Sequence, residues 1–424
     1  MDKPYEISYG TKKIEINLPT NSKIQLMKMK KHKAASDITI AAQMALENPI
    51  GSKKLRYIVK SGNKVCVILP DRTRSVPVKE LLQVVLQELH NSSIKREDIK
   101  IIFALGTHRL MNKYEMRKIV GQDVLEKYEC MNHNWQDKEN LVNLSYSKEG
   151  IPIVINKAVY ESDIKIAIGG VNPHRVAGWS GGAKAIVPGI SGAETTGYTH
   201  WLSALIPAEE IYAVEDNPVR KEMEVITKKV GLDFIINCVG NEEYKPVVIY
   251  AGDYIEAHRK CVKEAKKIYE IKLNKKKDIV ISGTGACVSD MWNTGCGPGE
   301  LIIKNGGISI VFSPCKDGIS PQHPEIKKFG YLHKLEEVKQ LVERREIKDL
   351  AAAAHLIHAG DMLTRKNVKC ILVSEGISQE DAKSLGIHLI DDPQKAIDQA
   401  FLNISSDLQV GIYDGFSSNY LYYV

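Results

Sequence analysis

Residues 169–201 read GGVNPHRVAGWSGGAKAIVPGISGAETTGYTHW and directly follow the apolar run 164–168 (IKIAI). The run has the composition of a buried strand, so the stretch begins where an α/β sheet places its functional loops. Its eight glycines allow the backbone to approach a ligand closely. Among them stand one lysine, Lys184, and two histidines, His174 and His200. So few reactive side chains among so many glycines indicate a binding loop.

The same order of strand, polar loop and helix occurs twice earlier in the chain. The apolar run 65–69 leads into residues 70–77 (PDRTRSVP), after which 78–89 has helical periodicity. The run 101–105 leads into residues 106–109 (GTHR) and a further helical pattern. Strands that alternate with helices predict an α/β fold with mostly parallel sheets and ligands at the carboxyl ends of the strands. The three polar loops are therefore expected at one edge of a sheet.

A charged segment at 273–277 (LNKKK) predicts a domain boundary, because a second series of strands and helices begins beyond it. We expect an N-terminal catalytic and cofactor-binding domain over 1–272 and a C-terminal α/β domain over 273–408. An active-site cleft is expected between the two domains. The tail, 409–424, has strand character and is expected to return to the first domain.

Composition narrows the class of protein. The hydrophobic content of 43% and charged content of 26% are typical of a soluble globular protein. The net charge of +6 is small, and the densest basic run, 28–33, has no interleaved aromatic residue, which argues against a nucleic-acid partner. No run has signal-peptide or membrane-spanning character, and the eight cysteines form no CxxC pair. We therefore predict a cytoplasmic protein with reduced thiols and no membrane partner.

The first polar loop contains Asp71-Arg72-Thr73-Arg74 just before a predicted helix. Backbone amides at a helix start, together with guanidinium groups, form a cradle for phosphate or carboxylate. A surface turn that caps the helix explains the same residues equally well. His108 and His174 each follow a strand, but a single loop histidine more often has no chemical role.

Lys184 lies in an apolar, glycine-rich segment, where loss of solvation would favour the neutral amine that a covalent attachment point needs. A surface lysine is the alternative. His200 is a candidate metal ligand through a neutral imidazole nitrogen, although a structural histidine is commoner. The GxSxG pattern at 178–182 lacks the strand and helix of a nucleophile elbow and is interpreted as chance. His355 and His358, three residues apart on a predicted helix, are expected to be a surface pair.

Taken together, these motifs resemble the nickel-dependent lactate racemase family. The matching pieces are Asp71-Arg-Thr-Arg74, Gly106-Thr-His108-Arg, Pro173-His174, Ala177-Gly-Trp-Ser-Gly-Gly-Ala-Lys184, Pro188-Gly189 and His200. Each piece alone is weak, and the combination is specific. The resemblance runs along most of the chain.

The resemblance implies a nickel-pincer nucleotide, Ni pyridinium-3,5-bisthiocarboxylic acid mononucleotide. Lys184 would bind it covalently through a thioamide, and His200 would be the protein ligand of Ni(II). Residues Asp71, Arg72, Thr73 and Arg74 would contact the cofactor, with Arg74 also near the substrate. Proteins of cofactor biosynthesis are implied as partners.

By resemblance, the reaction is the inversion of C2 of a 2-hydroxy acid. The cofactor would take the C2 hydride while a histidine removes the hydroxyl proton, and the 2-keto acid would be reduced on its other face. His108 and His174 would be the two acid–base residues, one for each enantiomer, and histidine as a residue type suits both directions because its pKa lies near the working pH.

The chain departs from the family pattern at 290–297 (DMWNTGCG). Trp292 and Asn293 stand where the family has a Tyr-Gln pair that grips the substrate carboxylate, and Cys296 or a neighbour stands where it has a lysine. Loss of a cation from a carboxylate pocket is not neutral. We therefore expect Trp292 and Asn293 to bind the substrate, which is lactate or another 2-hydroxy acid, with the altered segment favouring an acid other than lactate.

Two other classes remain open on sequence grounds. A nicotinamide-dependent oxidoreductase has its nearest support in Gly283-Thr-Gly285 after a strand, which lacks the third glycine of the dinucleotide fingerprint. A non-catalytic ligand-binding homologue is the other class. The combination of His108, His174, Lys184 and His200 argues against it.

Overall fold

A computed structural model describes residues 4–19, 22–286, 288–402, 408–414 and 420–423. The strands are β1 (Tyr5–Gly10), β2 (Lys12–Ile16), β3 (Lys23–Leu26), β4 (Val65–Pro70), β5 (Ile99–Ala104), β6 (Glu129–Asn132), β7 (Leu141–Tyr146), β8 (Pro152–Asn156), β9 (Ile164–Gly170), β10 (Pro173–His174), β11 (Gly178–Trp179), β12 (Phe234–Gly240), β13 (Pro246–Gly252), β14 (Glu270–Leu273), β15 (Lys277–Gly285), β16 (Ile303–Phe312), β17 (Lys369–Val373), β18 (His388–Leu389), β19 (Gln409–Asp414) and β20 (Tyr420–Tyr423).

The helices are α1 (Ile38–Glu47), α2 (Leu55–Ile58), α3 (Val78–Asn91), α4 (Lys113–Val120), α5 (Gln122–Lys127), α6 (Lys157–Tyr160), α7 (Ala193–Ala204), α8 (Ala208–Ile211), α9 (Pro218–Val230), α10 (Glu256–Tyr269), α11 (Met291–Thr294), α12 (Glu325–Phe329), α13 (Leu335–Glu343), α14 (Leu350–Thr364), α15 (Gln379–Leu385) and α16 (Pro393–Phe401). The predicted α/β class with mostly parallel sheets is confirmed.

The chain divides into two compact units. The six-stranded unit comprises residues 30–199 and 210–269, and the eight-stranded unit comprises residues 1–29, 200–209 and 270–424. The division falls inside α7, so that Thr199 belongs to the first unit and His200 to the second.

The sheet of the six-stranded unit has the order β13-β12-β9-β4-β5-β6. Every pair is parallel except β12 and β13. Residues Val65 to Leu69 of β4 are all buried, as expected for a central parallel strand that is covered on both faces. The apolar face of α3 covers one side, because Leu81, Leu82 and Val85 recur at helical spacing and are fully buried. A rigid sheet thus supports the loops at its edge.

The eight described strands of the other sheet follow the order β18-β17-β16-β15-β1-β2, with β19 beside β15 and β3 beside β19. The segment 1–29 was expected in the N-terminal domain, but β1 pairs with β15 and β3 pairs with β19. The tail was expected to return to that domain as well. Its strands pair with β15, β3 and β14 instead, because parallel partners in one sheet are commonly distant in sequence. Only the boundary near residue 270 lies close to the predicted break.

Within the described part of the chain, no helix is both long and apolar enough to cross a membrane.

Candidate active site

The three polar loops of the six-stranded unit leave adjacent strands. β4 pairs in parallel with β5 on one side and β9 on the other, so the carboxyl ends of all three lie side by side. Asp71 follows β4 directly, His108 follows β5, and the segment from His174 to Lys184 follows β9. The amide of Gly106 donates to the carbonyl of Gly189, 2.9 Å away, which joins the His108 loop to the Lys184 segment.

Asp71 and His108 link two of these loops. His108 Nδ1 lies 2.6 Å from Asp71 Oδ2, and the aspartate is 4% exposed. The Thr73 hydroxyl and amide donate to the other carboxylate oxygen, at 2.5 and 3.1 Å. Burial alone would raise the pKa of Asp71, but His108, Arg74 and Thr73 outweigh it and hold the pKa well below its usual range. A charged Asp71 therefore fixes a proton on Nδ1 of His108, and Nε2 becomes the basic atom of the neutral ring.

The two arginines of the Asp71 loop have different surroundings. Arg72 Nε lies 3.6 Å from Glu115 Oε1, and Arg109 donates to both oxygens of the same carboxylate at 2.7 and 3.0 Å. Arg74 is half-buried, its amide donates to the Asp71 carbonyl, and its charge acts on both Asp71 and Lys184. Arg72 thus supports the neighbouring loop, whereas Arg74 is the cation close to the predicted attachment point.

His174 lies on a two-residue hairpin formed by β10 and β11, where it pairs with Gly178. Its Nδ1 accepts hydrogen bonds from the amides of Val176 and Ala177, both 3.2 Å away. An atom that accepts two N–H groups carries no proton, so Nε2 carries the proton of the neutral ring. The two predicted acid–base histidines are therefore opposite neutral tautomers: Nε2 is a proton acceptor in His108 and a hydrogen-bond donor in His174.

Lys184 lies on the 3-10 turn Gly182–Ala185 and is half-buried. Loss of solvation lowers its pKa well below the usual value, and Arg74 and Arg220 lower it further, while Asp71 opposes them. The amine is thus disposed to be neutral and nucleophilic, as a covalent attachment point requires. Ser180 of the GxSxG pattern donates to the Gly170 carbonyl at 2.7 Å and so has a structural role.

His200 and the segment 290–297 belong to the eight-stranded unit. The Trp292 ring stacks with the imidazoles of His323 and His355, at centroid distances of 4.2 and 5.0 Å, and lies 6.0 Å from the His200 ring. His323 Nδ1 in turn lies 2.6 Å from Asp349 Oδ2. Among the described residues, no group of three or more His, Cys, Asp or Glu side chains is arranged to hold a metal.

Asn293, His355 and His358 all make contacts with other side chains of the protein. Asn293 Nδ2 donates to Asp290 Oδ1 at 2.8 Å, where Asp290 caps α11. The expected surface pair on α14 is wrong for His355, which is buried beneath Trp292 with a pKa lowered to about 3, chiefly by burial. His358 Nε2 lies 3.2 Å from the Ser203 hydroxyl. The sequence did not reveal the contacts of His355 and His358 because both join distant segments.

Comparison with known proteins connects this geometry to a family. A profile of the lactate racemase N-terminal domain matches residues 9–211. The lactate racemase of Thermoanaerobacterium thermosaccharolyticum is 31% identical over 320 residues, which cover 74% of this chain and 75% of the relative. The chain belongs to the lactate racemase family. A second family member, from Lactiplantibacillus plantarum, is 29% identical over 304 residues, or 70% of this chain and 69% of the relative.

Two solved structures are similar in fold to this chain. The lactate racemase apoprotein of Thermoanaerobacterium thermosaccharolyticum superimposes with a TM-score of 0.83 at 27% identity and covers 99% of this chain and 100% of its own. A protein from Thermotoga maritima shares the fold, with a TM-score of 0.75 at 22% identity over 93% of this chain and 100% of its own. As a member of the lactate racemase family, the protein is an isomerase.

The oxidoreductase alternative loses its structural basis. Gly283 and Gly285 lie within β15, whereas the dinucleotide fingerprint places its glycines in the turn between a strand and a helix. A Cβ on Gly283 would lie 2.3 Å from the Ser8 carbonyl oxygen, so close packing against β1 accounts for this glycine.

Two buried residues that contact the Lys184 loop, Arg220 and His258, were not predicted from the sequence. Arg220 occupies the first turn of α9, where the helix dipole disfavours a cation. An arginine two residues after the helix-start pattern Asn217-Pro218 is therefore a detectable sign of a specific role.

Proposed function

We propose that the protein inverts C2 of a 2-hydroxy acid, as expected for a relative of the lactate racemases, and that Lys184 holds a nickel-pincer nucleotide. The observation that carries the proposal is the convergence of Asp71, His108 and Lys184 at the ends of three adjacent parallel strands. Strand ends of this kind are the usual position of α/β active sites.

The side chains present fit such a cofactor. A half-buried lysine with a strongly lowered pKa is suited to acylation, and an acylated lysine is neutral and costs less to bury than an ammonium. The Arg74 guanidinium offers a donor beside it for anionic groups of the nucleotide, whereas Arg72 already pairs with Glu115. His200 supplies an imidazole, a ligand type that suits Ni(II).

The bound cofactor would supply the acceptor for the C2 hydride of the substrate. The chain's own residues would move the hydroxyl proton. With Asp71 on its Nδ1, His108 would accept this proton at Nε2, and the charged carboxylate would stabilise the imidazolium. His174, whose Nδ1 accepts from two amides, would hold the substrate oxygen through its Nε2–H; to donate that proton fully, the ring must first become the imidazolium, with Nδ1 released from the two amides and protonated. Each histidine would serve one enantiomer, and the product of one direction would restore the protonation needed for the other.

Arg74 and Trp292 are the residues we propose for substrate binding. Arg74 is a cation near Lys184 that is suited to a carboxylate. Trp292 would limit the space available to the substrate side chain near His200. Asn293 is a weaker candidate because its amide already donates to Asp290.

The decisive experiment is to express the protein with and without the proteins of nickel-pincer biosynthesis. We would then measure intact mass, the mass of the Lys184 peptide, nickel content and the interconversion of 2-hydroxy acid enantiomers. An added mass on Lys184, about one nickel per chain and racemisation are expected. Unmodified Lys184 and no turnover, while the Thermoanaerobacterium relative is loaded in parallel, would overturn the proposal.

A further inference from the structure

A buried arginine binds the backbone of the segment that carries Lys184. Arg220 is fully buried, and its guanidinium donates to the carbonyls of Ala177 at 3.3 Å, Gly181 at 3.1 Å and Trp179. Alternate carbonyls of one short loop thus converge on a single planar group. Its three nitrogens match this arrangement, which a lysine ammonium cannot reproduce in a plane.

Four further polar side chains complete this contact. Asn217 Nδ2 donates to the Ala177 carbonyl at 3.3 Å, and Thr227 Oγ1 donates to that of Ala183 at 3.3 Å. Asn237 Oδ1 accepts from the Gly182 amide at 2.9 Å. His258 Nε2 lies 2.8 Å from the Ser180 carbonyl, and burial holds its pKa well below the usual value, so the neutral ring donates. We call Asn217, Arg220, Thr227, Asn237 and His258 the polar cradle.

Two glycines allow the loop to approach the polar cradle. Both have positive φ, +73° at Gly178 and +57° at Gly182. A Cβ on Gly178 would lie 2.4 Å from Asn217 Nδ2, and one on Gly182 would lie 2.9 Å from His258 Cγ. Side chains at these positions would separate the loop from the cradle, so the sequence GWSGG preserves the contact.

We propose that Arg220 is a positioning residue for Lys184. By binding three carbonyls of residues 177–181, Arg220 fixes the backbone that enters the 3-10 turn on which Lys184 lies. The inference rests on the proposed function only for the use of Lys184 as the attachment point. A buried guanidinium is otherwise costly to retain, and Glu224, the carboxylate whose charge acts on Arg220, forms an ion pair with Arg259 at 2.8 Å.

The charge of Arg220, like its hydrogen bonds to the loop, favours a neutral Lys184 amine. Three charges act on the Lys184 amine besides burial: Arg74 and Arg220 lower its pKa, and Asp71 raises it. The pKa of Arg220 itself is lowered by burial to about 10, so the guanidinium remains charged at neutral pH. Removal of Arg220 both frees the loop and removes a like charge, and both changes favour the protonated lysine.

The test uses the full-length protein expressed without cofactor-synthesis proteins. The acetylation rate of Lys184 by acetic anhydride is measured from pH 6 to 11 by peptide mass spectrometry. In Arg220→Met we expect the acetylation rate at pH 7 to fall about tenfold or more. The midpoint of the plot of rate against pH should move to higher pH. Arg220→Lys keeps a charge but not the planar donors, so an intermediate profile is expected.

Val219→Ala is the matched control, because Val219 is fully buried on the same helix and makes an apolar cavity when truncated. Its Lys184 profile should equal that of the wild type despite a lower melting temperature. An unchanged profile in Arg220→Met, or an equal shift in Val219→Ala, would overturn the inference. If Arg220→Met does not fold, the Lys184 acetylation profiles of Arg220→Lys and Thr227→Val are compared with those of the wild type and Val219→Ala in the same way. Because no cofactor takes part, failure of the proposed function leaves this result interpretable.

Discussion

His108 Nδ1 and Asp71 Oδ2 lie 2.6 Å apart, and this contact joins the loops that follow β5 and β4. The carboxylate is buried and also receives two hydrogen bonds from Thr73. The contact orients the imidazole and selects its tautomer, as a buried carboxylate does for a catalytic histidine in other enzymes.

Asp71→Asn should therefore reduce kcat for racemisation by about 10²-fold or more, because the neutral amide no longer fixes the proton on Nδ1 or stabilises the imidazolium. The initial rate would be followed in both directions by chiral chromatography. Thr73→Val, which removes one donor to Asp71 and leaves the carboxylate, should lose much less activity. Full activity in Asp71→Asn at equal Lys184 loading would contradict the role of Asp71.

His108→Ala and His174→Ala should each reduce racemisation by about 10²-fold or more, since each removes the acid–base group for one enantiomer. Nickel content and the mass of the Lys184 peptide should stay at wild-type values in both variants. His90→Ala is a suitable control, because His90 bonds Tyr128 and the Ile94 carbonyl away from the three loops. If both single variants retained wild-type rates, the two-base proposal would be wrong.

Lys184→Ala should abolish covalent cofactor, because no other amine would replace the half-buried nucleophile. The check is the intact mass after co-expression with the biosynthetic proteins. Lys157→Ala, at an exposed lysine of α6, should load normally. A Lys184→Ala protein that still gains the cofactor mass would rule out Lys184 as the attachment site.

Buried neutral histidines should make stability fall in mild acid. His133 is fully buried with Nε2 2.9 Å from the Ser191 carbonyl, and burial lowers its pKa to about 4. The unfolded chain gains a proton on this ring below about pH 6.5, whereas the folded chain gains it only near pH 4. Protons therefore favour the unfolded state in this window, and the free energy of unfolding should drop by about 2 kcal/mol between pH 6.5 and pH 5 on account of His133.

His133→Gln isolates this contribution. Glutamine can still donate to Ser191 but does not titrate, so its loss of stability between pH 6.5 and pH 5 in urea unfolding should be about 2 kcal/mol smaller than that of the wild type. His258 also has a lowered pKa and contributes equally to both proteins. An identical pH dependence in the two proteins would show that His133 takes a proton in the folded state.

The sequence predicted those parts of the site that depend on local patterns of apolar and polar residues. Apolar runs followed by polar loops located β4, β5 and β9, and the family resemblance selected residues in their loops. Burial by distant segments is not visible in such patterns. His355 was therefore expected on the surface, and the polar cradle around residues 177–183 was missed. The pairing of β1 with β15 and of β19 with β15 and β3 was also not predicted, because strand pairing over several hundred residues leaves no local periodicity.

The choice of substrate is expected to depend on Trp292. Trp292 stacks with His323 and His355, and its ring lies 6.0 Å from that of His200, so we expect it to shape the space around the reacting carbon. In a screen of 2-hydroxy acids with short, branched, aromatic and acidic side chains, lactate should not be the preferred substrate. Lactate as the clear best substrate of the wild type would contradict the proposed change in specificity.

Trp292→Ala should then raise KM for the preferred acid by about 10-fold or more and change kcat less, because a side-chain pocket discriminates mainly by contacts made in both ground and transition states. Tyr331→Phe is the control: it removes the hydroxyl 3.1 Å from His355 Nε2 and keeps Trp292 in place. Equal shifts in both variants would mean that disruption of the buried histidine, and not loss of the indole, changes KM. A shift confined to Trp292→Ala, at unchanged nickel content, would assign substrate choice to the indole ring.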